Sequence, residues 1–336
     1  MSQFIGNGAE FVARAPLPRS YSRDVVRFST AGLPDSRRVE LWEGHNARTL
    51  VGLDCHTLID FSLEATELNL QLPRVQFAHV SGTAHVVERT QRNIDTTPAD
   101  SVVVYFNLHG DAFFYHKNGC EMLRPGQAIL YDADQPFMRG FAHGLREVAL
   151  KIPRAIYKEL SGGNSQGQLK VFDFHASPAA NSHANALAGL MKDAFTTPSE
   201  DREHLEMAAL DLFRVLLQGN SDGGLGHFTA ARSFILQRLR DPQLSAVQVA
   251  AAIGISDRHL SRIFALHGMS VARFILTERL KAARQALTQQ DTRRRTVGEL
   301  AAGLGFSSHA HFSRAYKEHF GVGPLQDRRA AEGLVP

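Results

Sequence analysis

The chain holds two cysteines and one tryptophan in 336 residues, and no apolar run nears the length of a membrane span. Cys55 and Cys120 are too few for a disulfide framework or a cysteine-rich zinc site, and they fit a reducing compartment. A bilayer crossing needs roughly 20 consecutive apolar residues, so no membrane association is expected. Met1 to Ala31 shows no apolar stretch preceded by positive charge, hence no signal peptide, and a cytoplasmic location is expected. Glycine-rich phosphate loops are missing, as is the alternating βα pattern of a receiver domain. A metal-dependent barrel enzyme needs two histidines on one strand face in an H-x-H spacing, because alternate strand residues point the same way. His79, His85, His109, His116 and His143 form no such pair. His309 and His311 stand two apart, but on an expected helix, where about 200° separates them. No catalytic residue, metal ligand or cofactor is therefore assigned, and a metallo-enzyme remains only a remote alternative.

Charge is abundant but unevenly placed. The net charge is +3. From His227 onward 16 Lys and Arg face 8 Asp and Glu, whereas 21 face 26 before it. A basic third joined to an acidic remainder is the footprint of a nucleic-acid module attached to something else.

The basic third contains one signal twice, about 51 residues apart: SAVQVAAAIGISDRHLSRIF from Ser245 and TVGELAAGLGFSSHAHFSRAY from Thr296. Ser245 with Gln248, and Thr296 with Glu299, have capping-box spacing. Gly254 and Gly305 stand where the chain must leave the first helix with positive φ. Ser256 and Ser307 are expected to cap the helix that follows, with Asp257 adding negative charge at its positive end. Ile253, Leu260, Ile263 and Phe264 supply a small core in the first unit, as Leu304, Phe312, Ala315 and Tyr316 do in the second. The opposite faces carry Arg258, Ser261 and Arg262, and His309, Ser313, Arg314 and Lys317, side chains of the kind that reach base edges and phosphates. Between the units Val271 to Gln289 reads as one uninterrupted helix. Its roughly 28 Å length is close to the roughly 34 Å between successive major-groove faces. Arg293-Arg294-Arg295 is either a solvated loop or a phosphate contact.

On these residues the C-terminal hundred positions resemble the DNA-binding domain of the AraC/XylS family of transcription regulators. Gly305-Phe306-Ser307, Phe312-Ser313-Arg314, Tyr316-Lys317 and His319-Phe320-Gly321-Val322-Gly323-Pro324 carry the likeness. Gly323 and Asp327 depart from the family pattern, which has Ser or Thr and an aromatic there. The resemblance implies base contacts from Arg258, Ser261, Arg262, His309, Ser313 and Arg314.

The preceding residues read differently. Val102 to Phe106 is rich in β-branched and aromatic residues, Gly110 turns the chain, and Asn118-Gly119 is a hairpin dipeptide. Further short strands and turns continue to Pro153, which suggests a small barrel or double-sheet jelly roll over about 54–153. Pro34 to Thr49 reads as a helix with a proline in its first turn. A helix pair over about 178–219 follows. Leu205, Ala208, Ala209, Leu212, Phe213, Leu216 and Leu217 form one apolar stripe, set against the barrel or against a second subunit. Residues 220–226 read as a linker. The expected class is thus two-domain α+β, with a cupin-like jelly roll and flanking helices over 1–219 and an all-α double helix-turn-helix domain over 227–336.

The N-terminal part also resembles, more loosely, the cupin-like effector domain of a subset of the same family, through Val86 to Thr90, Leu123 to Asp132 and Gln135-Pro136-Phe137. That likeness implies a small-molecule sensor or a dimerisation module. Phe77, His79, Tyr105, Phe113, Tyr115 and Tyr131 are either its ligand lining or plain core. Arg89 and Arg92 are either anion ligands or a solvated strand face. The expectation is a sequence-specific transcription regulator, an activator if it follows the family's commoner role. It would act as a homodimer on operator DNA with RNA polymerase, answering an unidentified effector. The alternative is a constitutive DNA-binding protein whose barrel binds nothing.

Overall fold

The computed structural model describes residues 24–57, 62–163, 169–174, 181–197, 201–218, 224–288 and 295–331. The chain divides into two compact units, 1–219 and 220–336.

In the first unit β1 (Val25–Ser29) leads to α1 (Asp35–Thr49), then β2 (Asp54–Thr57), β3 (Ala65–Gln71), β4 (Gln76–Gly82) and β5 (His85–Arg89). A short α2 (Gln91–Thr96) precedes β6 (Ser101–His109), β7 (Ala112–His116), β8 (Gly119–Leu123), β9 (Gln127–Asp132), β10 (Phe137–Phe141) and β11 (Leu145–Pro153). After α3 (Arg154–Leu160) come β12 (Lys170–Asp173), α4 (Ser182–Ala194) and α5 (Arg202–Gln218).

The strands form two antiparallel sheets, as the short apolar runs and frequent turns foretell. A seven-stranded sheet runs β1-β3-β4-β11-β6-β9-β12, and a five-stranded one runs β2-β5-β10-β7-β8. The architecture is a double-sheet jelly roll. Between the sheets lies a core that includes Trp42, Val80, Tyr105, Phe114, Tyr131, Phe137 and Phe141. Period-two alternation sends the other face of the large sheet outward. There Phe77, Val148, Leu150, Val104 and Phe106 are buried, and His79 lies 6.1 Å (ring centroids) from Phe195 just past α4. The apolar stripe of α5 is buried within this unit, with α4 and α3 alongside it. Buried Glu206 on α5 accepts from the Arg74 and Val75 amides, which ties the helix to the β3–β4 turn.

Two sequence expectations shift here. The β7–β8 hairpin pairs His116 with Gly119, so its two-residue loop is Lys117-Asn118, one position before the expected Asn118-Gly119. Gly119 closes it at φ +146°, a conformation open to glycine. Arg89 is fully buried, so it does not stand on a solvated strand face. Its guanidinium donates to the Ala133, Gly52 and Thr97 carbonyls and pairs with Asp134. Arg92 is exposed.

The second unit is helical: α6 (Gly224–Gln237), α7 (Ala246–Ile253), α8 (Asp257–Leu266), α9 (Val271–Thr288), α10 (Val297–Gly303), α11 (His309–Phe320) and α12 (Pro324–Ala331). Gly224 to Gly226, read from composition as the end of a linker, are the first turn of α6. Burial of Gly226, His227, Ala230 and Ala231 outweighs the poor helix propensity of glycine there. The remaining linker positions 220–223, together with Arg293 and Arg294, lie outside the described residues.

Candidate nucleic-acid interface

Each helix-turn-helix unit is specified locally. Ser245 Oγ accepts from the Gln248 amide, so the first cap is present without the reciprocal half of the box. The second box is complete: Thr296 Oγ1 accepts from the Glu299 amide at 3.2 Å, and Glu299 Oε2 accepts from the Thr296 amide at 2.7 Å. Those bonds hold the exposed Glu299 carboxyl below its ordinary pKa. Gly254 ends α7 at φ +73°, and Gly305 follows α10 at φ +82°. Ser256 caps α8 through the His259 amide. In the second unit the cap is Ser308, accepting from the His311 amide, and Ser307 is not the cap. The second turn is one residue longer, which moves the start of α11 one position along the chain.

Each recognition helix stands on a small apolar core. Leu260, Ile263 and Phe264 are buried on α8, with the Phe264 and Phe274 rings edge to face at 5.6 Å. Phe312, Ala315 and Tyr316 of α11 join Leu280, Ala283 and Leu287 of α9 and Leu300 and Phe306 in one cluster. The opposite side of α8 leaves Arg258, Ser261 and Arg262 exposed at i, i+3 and i+4. On α11 His309, Arg314 and Lys317 are exposed and Ser313 is half-buried. His311 is exposed beside them; its spacing from His309 marks it only as a poor metal partner, so a linear reading passes over it as a surface group.

At the C-terminus Tyr316 Oη donates to Asp327 Oδ2 at 2.7 Å, and Arg284 Nε pairs with the same oxygen at 2.9 Å. Arg284 also lies over the Phe320 ring, 4.7 Å from its centroid. Asp327, one of the two departures from the family pattern, therefore helps dock α12.

The first unit has a narrow recess of about 30 Å3 between the sheets and α1. Trp42, His85, Tyr105, Phe137, Arg139 and Phe141 line it, with Glu147. Arg139 and Glu147 are both buried and form a bidentate pair at 3.1 and 2.5 Å. The Arg139 guanidinium also lies 4.0 Å from the Tyr105 ring centroid. Glu67 shares the inner face in the same row as Glu147, on the far side of β4, since both pair with Val80. Burial and the nearby Glu147 charge push the Glu67 carboxyl up to about 7, against a lowering hydrogen bond from Asn69. Desolvation lowers both His85 and His45.

Residues 249–330 match a family described as a helix-turn-helix domain. Transcriptional activator NphR of Rhodococcus sp. is 25% identical over 338 residues, spanning 91% of this chain and 96% of that protein. The HTH-type transcriptional regulator ArgR of Pseudomonas aeruginosa is 30% identical over 168 residues, half of this chain and 48% of that one. The HTH-type regulator CdhR of the same organism is 35% identical over 94 residues, 28% of this chain and 27% of its own. Among solved structures, the AraC-like transcriptional activator CuxR aligns over 83% of this chain and all of its own, at 19% identity and a TM-score of 0.47. The C-terminal unit thus carries a helix-turn-helix domain like that of these transcription regulators.

Of the effector residues expected from the sequence, the structure brings only two to the interior of the jelly roll. Tyr105 borders the recess, and Tyr131 packs beside it between the sheets. Phe77 and His79 are on the outer face of the large sheet, and Phe113 and Tyr115 on the outer face of the small one. Strand alternation explains both displacements, since the inward neighbours are Ala78, Val80, Phe114 and His116. Phe113 instead covers Gly140, where a Cβ would come within 2.0 Å of its ring, and Tyr115 is 57% exposed. Arg139 and Glu147 carried no sequence signal, because an alternating strand does not say which face is inward. Among the described residues no group of three or more His, Cys, Asp or Glu side chains is arranged to hold a metal, and no helix is long and apolar enough to cross a membrane.

Proposed function

We propose that this regulator is a cytoplasmic, non-enzymatic activator that reads two successive major-groove segments of an operator and responds to a small molecule in its jelly roll. The observation that carries the DNA reading is the pair of capped helices, α8 and α11, each exposing arginine with serine or histidine opposite a buried core. Arg258, Ser261 and Arg262 would contact one segment, and His309, Ser313, Arg314 and Lys317 the next. The 18 residues of α9 span roughly 27 Å, comparable to the spacing of successive groove faces. Promoter DNA and RNA polymerase are the partners, and the first unit would pair two subunits. Limits of 1–219 and 227–336 divide the effector domain from the DNA-binding domain in this reading.

The recess between the sheets is the effector site. Arg139 and Glu147 already balance each other, so a net charge brought in by a ligand would be buried without a counter-ion. An uncharged, hydrogen-bonding molecule with a flat apolar face suits the aromatic walls. Selection of bound duplexes from a random pool, followed by hydroxyl-radical footprinting, tests the DNA half: protection of two segments about one helical turn apart is expected, and one protected segment would sink it. A panel of uncharged metabolites tests the other half by thermal shift. A true ligand at about 100 times its dissociation constant adds about 2.7 kcal/mol, and no shift from any compound would favour constitutive regulation.

A further inference from the structure

Arg279 lies near the middle of α9, and its guanidinium touches the turn that leads into the first helix-turn-helix unit and the turn inside the second. Its Nε donates to the Leu239 carbonyl at 3.0 Å and its Nη2 to the Asp241 carbonyl at 2.6 Å, in the turn that follows α6. The same planar group lies against Gly305, the left-handed residue between α10 and α11. A Cβ built at Gly305 would stand 2.7 Å from Nη2, 2.9 Å from Cζ and 3.0 Å from Nε. By contrast, a Cβ at the equivalent Gly254 of the first unit meets nothing within 4 Å. Glycine at 305 therefore serves two ends, the positive φ and the close approach of the arginine.

We propose that Arg279 is a positioning residue that fixes the rotation of one recognition helix relative to the other, and so sets the operator spacing the protein accepts. The inference rests on the reading that α8 and α11 both engage DNA. A connecting helix sets the distance between two groove-reading units, but its neighbours can still roll about it. A guanidinium resists such rolling because its donors lie in a rigid plane. Here that plane is anchored to two carbonyls of the α6–α7 turn and pressed on the backbone of the α10–α11 turn. Desolvation lowers the Arg279 pKa from its ordinary value, consistent with a side chain held among protein groups rather than offered to phosphates. A mere cap for α6 would need the carbonyls alone and would have no use for the contact at Gly305.

The test uses the full chain and duplexes obtained by selection from a random pool. Apparent dissociation constants are measured on the selected operator, on the same operator with one base pair inserted between its two protected segments, and on a duplex carrying one segment only. The insertion should weaken wild-type binding about tenfold or more, the scale of a mismatched contact. In Arg279→Met the insertion penalty should fall below about threefold, while binding to the single-segment duplex stays at the wild-type level. An undiminished insertion penalty in folded Arg279→Met overturns the proposal. Should that variant not fold, Arg279→Lys, which keeps charge but lacks the planar fork, reads the same ratio: a penalty below about threefold supports the proposal and an undiminished one overturns it. Val249→Ala, a core change in α7, controls for general loosening: it should lower the melting temperature and leave the ratio alone, and a ratio that falls equally there overturns the proposal. A wild-type footprint of only one segment would instead defeat the two-groove reading on which this rests.

Discussion

A single side chain shows how burial changes chemistry that composition leaves silent. Glu67 is fully buried, its Oε2 has no hydrogen-bond partner, and its carboxyl titrates near 7 instead of the ordinary 4.5. The folded state therefore holds a proton that the unfolded state has lost between about pH 4.5 and 7. Stability from this group is fully present below 4.5 and declines as pH rises toward 7. The half-buried histidine His79, lowered to about 4 mainly by desolvation, acts in the opposite sense: its contribution grows as pH rises from about 4 to 6.5. A raw pH profile mixes the two, so the difference between wild type and Glu67→Gln is the clean measurement. The variant should melt with wild type at pH 4.5 and several degrees above it at pH 8; a constant offset would refute the assignment. On the exposed faces of α8 and α11 proposed to read DNA, Arg262→Ala or Arg314→Ala should cost about 1–3 kcal/mol and relax preference at one base position. Equal weakening on random duplexes would mean phosphate contacts only.

At the scale of elements the helix-turn-helix units are held by caps and left-handed glycines. Thr296→Ala removes the hydroxyl half of a complete capping box and should cost about 1 kcal/mol of stability in thermal or denaturant unfolding. Two glycine replacements form a sharper pair. Gly254→Ala meets open space, so only the positive φ penalises it, by about 1–2 kcal/mol. Gly305→Ala carries the same conformational penalty and also collides with Arg279, so it should be the more destabilising of the two. Equal losses would show that the arginine gives way at no cost. The helix pair of the first unit makes a different point: the stripe on α5 is buried within its own unit, which satisfies it without a second subunit.

For the whole molecule, the uneven charge leads to a measurable consequence. Sixteen basic residues over the final third should give binding that weakens by about 0.9 log units per released phosphate contact per decade of salt. A flat response would contradict a basic reading face. Residues 220–336 form a compact unit and, expressed alone, should bind the selected operator more weakly than the full chain if the first unit pairs subunits. Equal affinity would place pairing elsewhere.

The DNA-binding half is legible in the sequence because its signals are local. Caps at Ser245, Ser256 and Thr296, glycines at 254 and 305, and apolar residues at helical spacing all act within a few positions of one another, so a linear reading finds them. Where one inserted residue alters the second turn, that reading slips by one position, from Ser308 to Ser307. The jelly roll is legible as strands and turns, but its interior is not. Sequence alternation tells which residues share a face, while only the pairing of distant strands decides which face is inward. That is why Phe77, His79, Phe113 and Tyr115 turn away from the cavity, and why Arg139 and Glu147, on strands of different sheets, meet in it with Glu67 in the same row as Glu147. Arg279 belongs with them: nothing local marks it, and its role exists only where three elements meet on one planar cation.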